Sequence, residues 1–242
     1  MLKLIDIHCH LVDYFETAEI ERIDSKSKVL HVSTALNKHE IEIHNSIKTP
    51  YWFAGLHPQD AKQPLSYKES FIELSSKANS LGLGEIGLDR NFPDLEKQVE
   101  LLEMQVHKAE ELRVPTLYHL VGHEYKFIEL HKEWQLPTMK IMHGFNSSFE
   151  VYQELDKLGF YFSISNRLLK SSKRRDVVDA ILESKRFFLE SDAPYDGGLD
   201  EVIKIAILLK NSYTISMDEI KEIVNKNFNE LLEGSRESRS QK

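Results

Sequence analysis

Eight short apolar runs, separated by longer stretches with helical periodicity, set the strongest constraint on how this chain can fold. They are KLIDI (3–7), KVLHVS (28–33), PYWFAG (50–55), GLGEIG (82–87), VPTLYH (114–119), TMKIMH (138–143), FYFSIS (160–165) and FFLES (187–191). Ile, Val, Leu, Phe and Tyr dominate them, as in β-strands. Several are almost continuously apolar, the signature of strands covered on both faces. In 94–112, Leu95, Val99, Leu102, Val106 and Ala109 recur at three- and four-residue steps and form one apolar stripe. Further helices are expected over 66–80, 122–134, 147–158, 171–184, 199–210 and 216–232. The last opens with Ser216 and Glu219 at capping-box spacing and stops before Gly234.

Strand–helix alternation implies a parallel α/β architecture. Eight strands in 242 residues favour a closed (β/α)₈ TIM barrel over an open sheet. The connection from Val12 to Ser27 holds only the weak helix TAEIERIDSK, so a shortened first β-α unit is expected. There is no linker and no internal repeat. One domain over 1–233 is expected, with the tail GSRESRSQK (234–242) disordered for want of an apolar anchor.

A hydrophobic content of 41% is enough for a sizeable core. The net charge of −8 gives no global attraction for a polyanion, leaving local basic patches or bound cations to supply it. Cys9 is the single cysteine, which excludes an intramolecular disulfide framework and fits a reducing, cytoplasmic setting. No secretory signal is evident, and no apolar run is long enough for a membrane span.

The functional signal lies in where the polar residues fall. Strand 1 ends in His8 and His10, strand 3 in His57, strand 5 in His119 and strand 6 in His143. Strand 4 carries Glu85 and leads to Asp89; strand 7 leads to Asn166 and Arg167, and strand 8 to Asp192. In a barrel these ends share one rim, where active sites assemble. His8 and His10 are two residues apart and face the same side of an extended chain, with Cys9 turned away as a small buried hydrophobe. With Glu85 and Asp192 they offer a mixed nitrogen and oxygen site suited to Zn²⁺, Mn²⁺ or a similar ion. His119 and His143 supply nitrogens for a second ion, with Glu85 between the two. Gly84 and Gly87 permit close backbone approach around it. A pair of divalent ions clamps the oxygens of a phosphoryl transfer and acidifies water.

Several of these residues also have an ordinary structural reading. His57 before Pro58 suits a turn as well as a pocket. Asp89 suits a loop cap as well as a pocket acid, and Asp6 a strand-end hydrogen bond. His31, His39, His44, His107, His123 and His131 have no rim position and read as structural or exposed.

The blocks DIHCHL (6–11), GLHP (55–58), GEIGLD (84–89), VPTLYH (114–119), HGF (143–145) and ESDAPY (190–195) occur in an order and spacing that resemble the TatD family of metal-dependent deoxyribonucleases, within the amidohydrolase-like metallohydrolases. The helix 94–112, with Gln98 and Gln105, resembles the family's helix before strand 5. The resemblance implies a (β/α)₈ barrel with two divalent ions, Mg²⁺, Mn²⁺ or Zn²⁺. One would be held by His8, His10, Glu85 and Asp192, the other by Glu85, His119 and His143. It also implies an exonuclease acting on DNA ends, single-stranded ends among them, and partner proteins encoded alongside a phage-defence system. The chain departs from the family's pattern at Leu120–Gly122, Gly144, Ser191 and Asn166, where substrate is held.

The stretch NRLLKSSKRR (166–175) concentrates Arg167, Lys170, Lys173, Arg174 and Arg175 after strand 7. It reads either as a phosphate-attracting patch or as a helix face balanced by neighbouring acids. Substrate contacts are expected from His57, Asp89, Arg90, Asn166, Arg167 and Arg174, with Asn91 beside them. Tyr14, Phe15, Phe92 and Tyr195 suit either stacking on a terminal base or packing. Arg236 and Arg239 are further candidates in the tail.

The leading expectation is an end-directed DNA phosphodiesterase. Glu85 and Asp192 would be catalytic as well as ligating, Asp192 taking a proton from water, with Arg90 or His57 facing the phosphoryl oxygens. The first alternative is a metal-dependent amidohydrolase or phosphoesterase on a small substrate. That branch often places a modified lysine on strand 4, where this chain has Glu85. The second is a non-catalytic interaction protein on the same barrel, against which the intact donor set argues.

Overall fold

Strand β1 (Leu4–Cys9) is buried at every position, as is β4 (Leu83–Asp89), so neither strand has a solvent face. That burial is why these runs lack the alternation of a half-exposed strand. With β2 (Val29–Ala35), β3 (Trp52–Ala54), β5 (Thr116–Val121), β6 (Lys140–Met142), β7 (Phe160–Ile164) and β8 (Phe187–Leu189), they account for all eight expected runs. The strands pair in sequence order, all parallel, and β8 closes on β1 through Asp6 and Leu189. The chain is a (β/α)₈ TIM barrel. This computed structural model describes residues 2–14, 28–46, 51–77, 80–134 and 138–240.

The helices are α1 (Leu11–Tyr14), α2 (Lys38–Ser46), α3 (Leu65–Lys77), α4 (Leu95–Leu112), α5 (Glu124–Glu133), α6 (Phe149–Lys157), α7 (Asn166–Lys170), α8 (Arg175–Ser184), α9 (Glu201–Ser212) and α10 (Met217–Ser240). Local chemistry sets several boundaries. Ser148 accepts the Val151 N–H at the start of α6, and Ser216 accepts the Glu219 N–H at the start of α10. Arg113 closes α4 in a left-handed conformation.

Three helical expectations are corrected. Helix α2 has no counterpart among the predicted helices. It buries only Ile41 and His44, too weak a stripe to register, and its start is held by Asn37 accepting the Glu40 N–H. The predicted helix 171–184 divides into a 3₁₀ turn (Ser172–Arg174) and α8. Helix α10 runs through Gly234 to Ser240 instead of stopping before the glycine. A mid-helix glycine costs only about 1 kcal/mol, and Ser235 beyond it is buried at 5% exposure. Most of the shortened first crossover, and Phe15 with it, lies outside the described residues. No helix among the described residues is long and apolar enough to cross a membrane.

Candidate metal centre

The centre is assembled at the carboxyl ends of β1, β4, β5, β6 and β8. Strand β1 extends past its predicted end through Cys9, so the period-two alternation persists to His10. His8 Nε2 and His10 Nε2 each lie 3.5 Å from Glu85 Oε1, and 3.5 and 3.6 Å from Asp192 Oδ1. Cys9 turns the other way and donates its thiol to the Val32 carbonyl at 3.5 Å. Asp192 reaches the centre from a left-handed turn, φ 49°, just past β8, with its N–H bonded to His8 O.

Glu85 serves both halves of the centre. Its Oε1 faces His8 and His10, while Oε2 lies 2.7 Å from His143 Nε2 and 3.2 Å from His119 Nδ1. Those two imidazole nitrogens are 3.0 Å apart. Close approach of β4 to β5 makes this possible. A Cβ on Gly87 would stand 1.7 Å from His119 O, and one on Gly84 would stand 2.5 Å from Leu117 Cβ.

Partners outside the centre decide which atoms face in. His8 Nδ1 meets Thr34 Oγ1 at 3.0 Å, and His8 Nε2 is buried with no hydrogen-bond partner. His119 Nε2 donates to Asp89 Oδ2 at 3.0 Å, which makes Nδ1 the nitrogen that faces the centre. Imidazole nitrogens and carboxylate oxygens thus converge on one centre, a donor set that suits a cation. The spacing fits one as well. Bonds of about 2.1 Å to a tetrahedral ion put its ligand atoms about 3.4 Å apart, against the observed 3.5–3.6 Å.

Proton affinities follow the same geometry. Burial opposes ionisation of Glu85, but the charges of His143 and His8 outweigh it and hold its carboxyl well below the usual range. Burial likewise opposes ionisation of Asp192, and the neighbouring imidazoles of His10 and His8 hold it far down. Burial lowers His8, and it pushes His57 down to about 4. For His119 burial is outweighed by hydrogen bonds to Asp89 and Glu85, which raise it to about 9. Both carboxylates are therefore ionised, and His57 is neutral at pH 7.

The remaining expected contacts scatter. His57 lines a cavity of about 300 Å³ that opens over the centre, with Leu36, Gln59 and Tyr195. Arg167 and Asp196 line an adjoining recess and form an ion pair at 3.7 Å. Asp89 accepts from His119 Nε2 with one oxygen and from the Asn91 N–H with the other. Asn166 is spent on Glu201 Oε1 at 2.6 Å. Arg90 is exposed beside the rim with its chain against Gly122, and Arg174 is half-buried before α8, outside both cavities. Arg175 leaves the basic patch by stacking on Tyr213 and donating to Ser212 O. Phe92 packs edge-on against His57, and Tyr195 bonds Asp13 while meeting His10 edge-on.

Sequence reasoning missed Thr34, for which there is no local signal, and Glu190. Glu190 is buried, and burial raises its carboxyl to about 7. It accepts from Ser163 Oγ and Gly144 N and lies 3.7 Å from His143 Nδ1. Its place at the head of the ESDAP block was the available clue. Asp6 supports from below, accepting from His31 Nδ1, Ser191 N and Ser191 Oγ at 3.0, 2.9 and 2.7 Å.

The profile of a family described as TatD related DNase matches residues 5–233. A protein of Methanocaldococcus jannaschii named uncharacterized metal-dependent hydrolase MJ1582 is 26% identical over 93% of this chain and 95% of its own length. The 3′-5′ ssDNA/RNA exonuclease TatD of Escherichia fergusonii is 30% identical over 59% of this chain and 57% of its own length. Among solved structures, the TatD homologue YjjV of Escherichia coli K12 superposes with a TM-score of 0.79 at 23% identity, covering 94% of this chain and 97% of that one. A TatD family hydrolase from Entamoeba histolytica gives 0.79 at 18% identity, covering 95% and 98%. These two likenesses concern the fold, while the profile match spans nearly the whole barrel: the chain belongs to the TatD-related DNase family of metal-dependent hydrolases.

Proposed function

We propose that the protein is an end-directed nuclease that hydrolyses phosphodiester bonds with two divalent ions. The observation that carries this reading is the shared carboxylate: Glu85 offers one oxygen to the His8, His10 and Asp192 set and the other to His119 and His143. Bound there, a pair of Mg²⁺, Mn²⁺ or Zn²⁺ ions would acidify water and neutralise phosphoryl charge. The residues do the rest. Asp192, ionised and at the cavity wall, accepts the proton of the attacking water. The cavity of about 300 Å³ suits one terminal nucleotide and is too small for a double helix. Tyr195 is 67% exposed beside His10 and offers a face for the terminal base. Arg167, with the exposed Lys170 and Lys173, leads the following phosphates away from the centre. The naming of several relatives as single-strand exonucleases supports the same substrate class.

The test is to incubate metal-loaded protein with 5′- and 3′-labelled single- and double-stranded DNA, alongside RNA. The expected result is stepwise release of nucleotides from single-stranded ends, dependent on the ion. Absence of release with Mg²⁺, Mn²⁺ and Zn²⁺ would refute the reading. Turnover of small amides or esters in its place would favour the amidohydrolase alternative.

A further inference from the structure

We infer that His57 is a neutral hydrogen-bond donor to a phosphoryl oxygen of the substrate and holds no metal ion, an assignment that rests on the phosphodiesterase reading above. It starts from local chain chemistry. Pro58 opens the 3₁₀ turn Pro58–Lys62 and has no N–H, so Gln59 carries the first backbone donor of that turn. His57 Nδ1 accepts that N–H at 3.3 Å. A backbone N–H can only donate, so Nδ1 presents its lone pair there. A neutral imidazole has one ring proton, which must then sit on Nε2.

This tautomer settles a choice that proximity leaves open. A ring nitrogen of His57 lies within 4.8 Å of ligating atoms of Glu85 and His119, close enough to join the metal set. Yet Nε2, protonated, has no lone pair for an ion. It is a donor, and among the described residues no protein acceptor meets it. The ring is 8% exposed and lines the cavity, and its plane is held edge-on by His119 at 4.4 Å and by Phe92 at 5.4 Å. A fixed donor in such a setting stabilises charge that grows on a phosphoryl oxygen. The histidine before proline therefore does two jobs, one with each nitrogen: it caps the turn and aims a proton at the substrate.

Two substitutions separate these jobs. His57→Asn keeps an acceptor near the place of Nδ1, and so the cap, but removes the donor. His57→Gln carries an amide N–H out to the reach of Nε2. The readouts are zinc stoichiometry, binding of inorganic phosphate to the zinc-loaded protein by calorimetry, and kcat and KM on labelled single-stranded DNA. For His57→Asn the expected result is unchanged Tm and zinc stoichiometry, with phosphate bound about 10-fold or more weaker. Its kcat should fall roughly 10²- to 10³-fold with a smaller change in KM. His57→Gln should recover part of both losses.

Loss of a zinc equivalent in His57→Asn would make the residue a ligand and overturn the assignment. So would unchanged phosphate affinity and kcat, or wild-type protein that binds zinc but no phosphate. The two readings can fail separately. Phosphate binding that depends on His57, without cleavage of any nucleic acid, keeps the donor and discards the nuclease. Cleavage that is equal in wild type and His57→Asn does the reverse.

Discussion

At the scale of single residues the centre depends on which atom each side chain turns inward. Glu85 is the one carboxylate with an oxygen in both halves, Oε1 toward His8 and His10 and Oε2 toward His119 and His143. Glu85→Ala is therefore expected to abolish binding of both ions and all hydrolysis, while the fold survives. Metal content after dialysis measures this, and two retained equivalents would remove Glu85 from the proposed bridge. Asp89 acts one step back, through the 3.0 Å bond to Nε2 that turns His119 Nδ1 toward the centre. Replacing it with Asn weakens that orientation, and affinity at the His119 and His143 half should drop about 10- to 100-fold. Zinc titration should show one site weakened and the His8 and His10 site unchanged. Equal weakening of both would show that Asp89 acts on the fold and not on one ligand.

At the scale of elements, helix α4 holds the rim in register. Gln98 and Gln105 are buried at 0% and 1% exposure, and each forms a two-way bond with the backbone of a strand end. Gln105 accepts the Leu56 N–H at 2.8 Å and donates to Leu56 O at 3.0 Å, just before His57. Gln98 does the same for Asp89 and also donates to Phe92 O. Both places lie where a strand ends, and the glutamine amide satisfies peptide groups there that the sheet does not. Gln105→Ala leaves a buried N–H and C=O unsatisfied, at a cost of about 2 kcal/mol or more. Urea unfolding should register this as a lowered midpoint with the same slope. An unchanged midpoint would mean that water takes the amide's place. The apolar stripe of this helix was legible in the sequence, but its centre was not. Leu95 and Val99 are only partly buried, whereas Leu101 and both glutamines are buried. A buried glutamine makes sense only once the peptide groups it serves are seen.

At the scale of the molecule, protons and metal ions compete for one centre. In the metal-free protein His119 is raised from 6.5 to about 9, burial being outweighed by Asp89 and Glu85. Because its affinity is higher in the folded state, the stabilisation is complete below pH 6.5 and lost as pH rises through about 9. An ion that takes the proton's place has the opposite dependence, binding more tightly as pH rises. The difference in Tm between zinc-loaded and metal-free protein should thus widen from pH 6.5 to 9. A constant difference over that window would mean that His119 is no ligand. The barrel was determined by the sequence alone, because strand runs and helical periodicity are local properties of a chain with fixed repeat, and so is the facing of His8 and His10 to one side of β1. The division of labour was decided only by tertiary structure. Asp89 bonds His119, His57 accepts the Gln59 N–H, Asn166 pairs with Glu201, and Thr34 and Glu190 joined unannounced. Each of these depends on which nitrogen or oxygen meets which partner across strands far apart in sequence, and a hydrogen bond's direction is set only when both ends are in place.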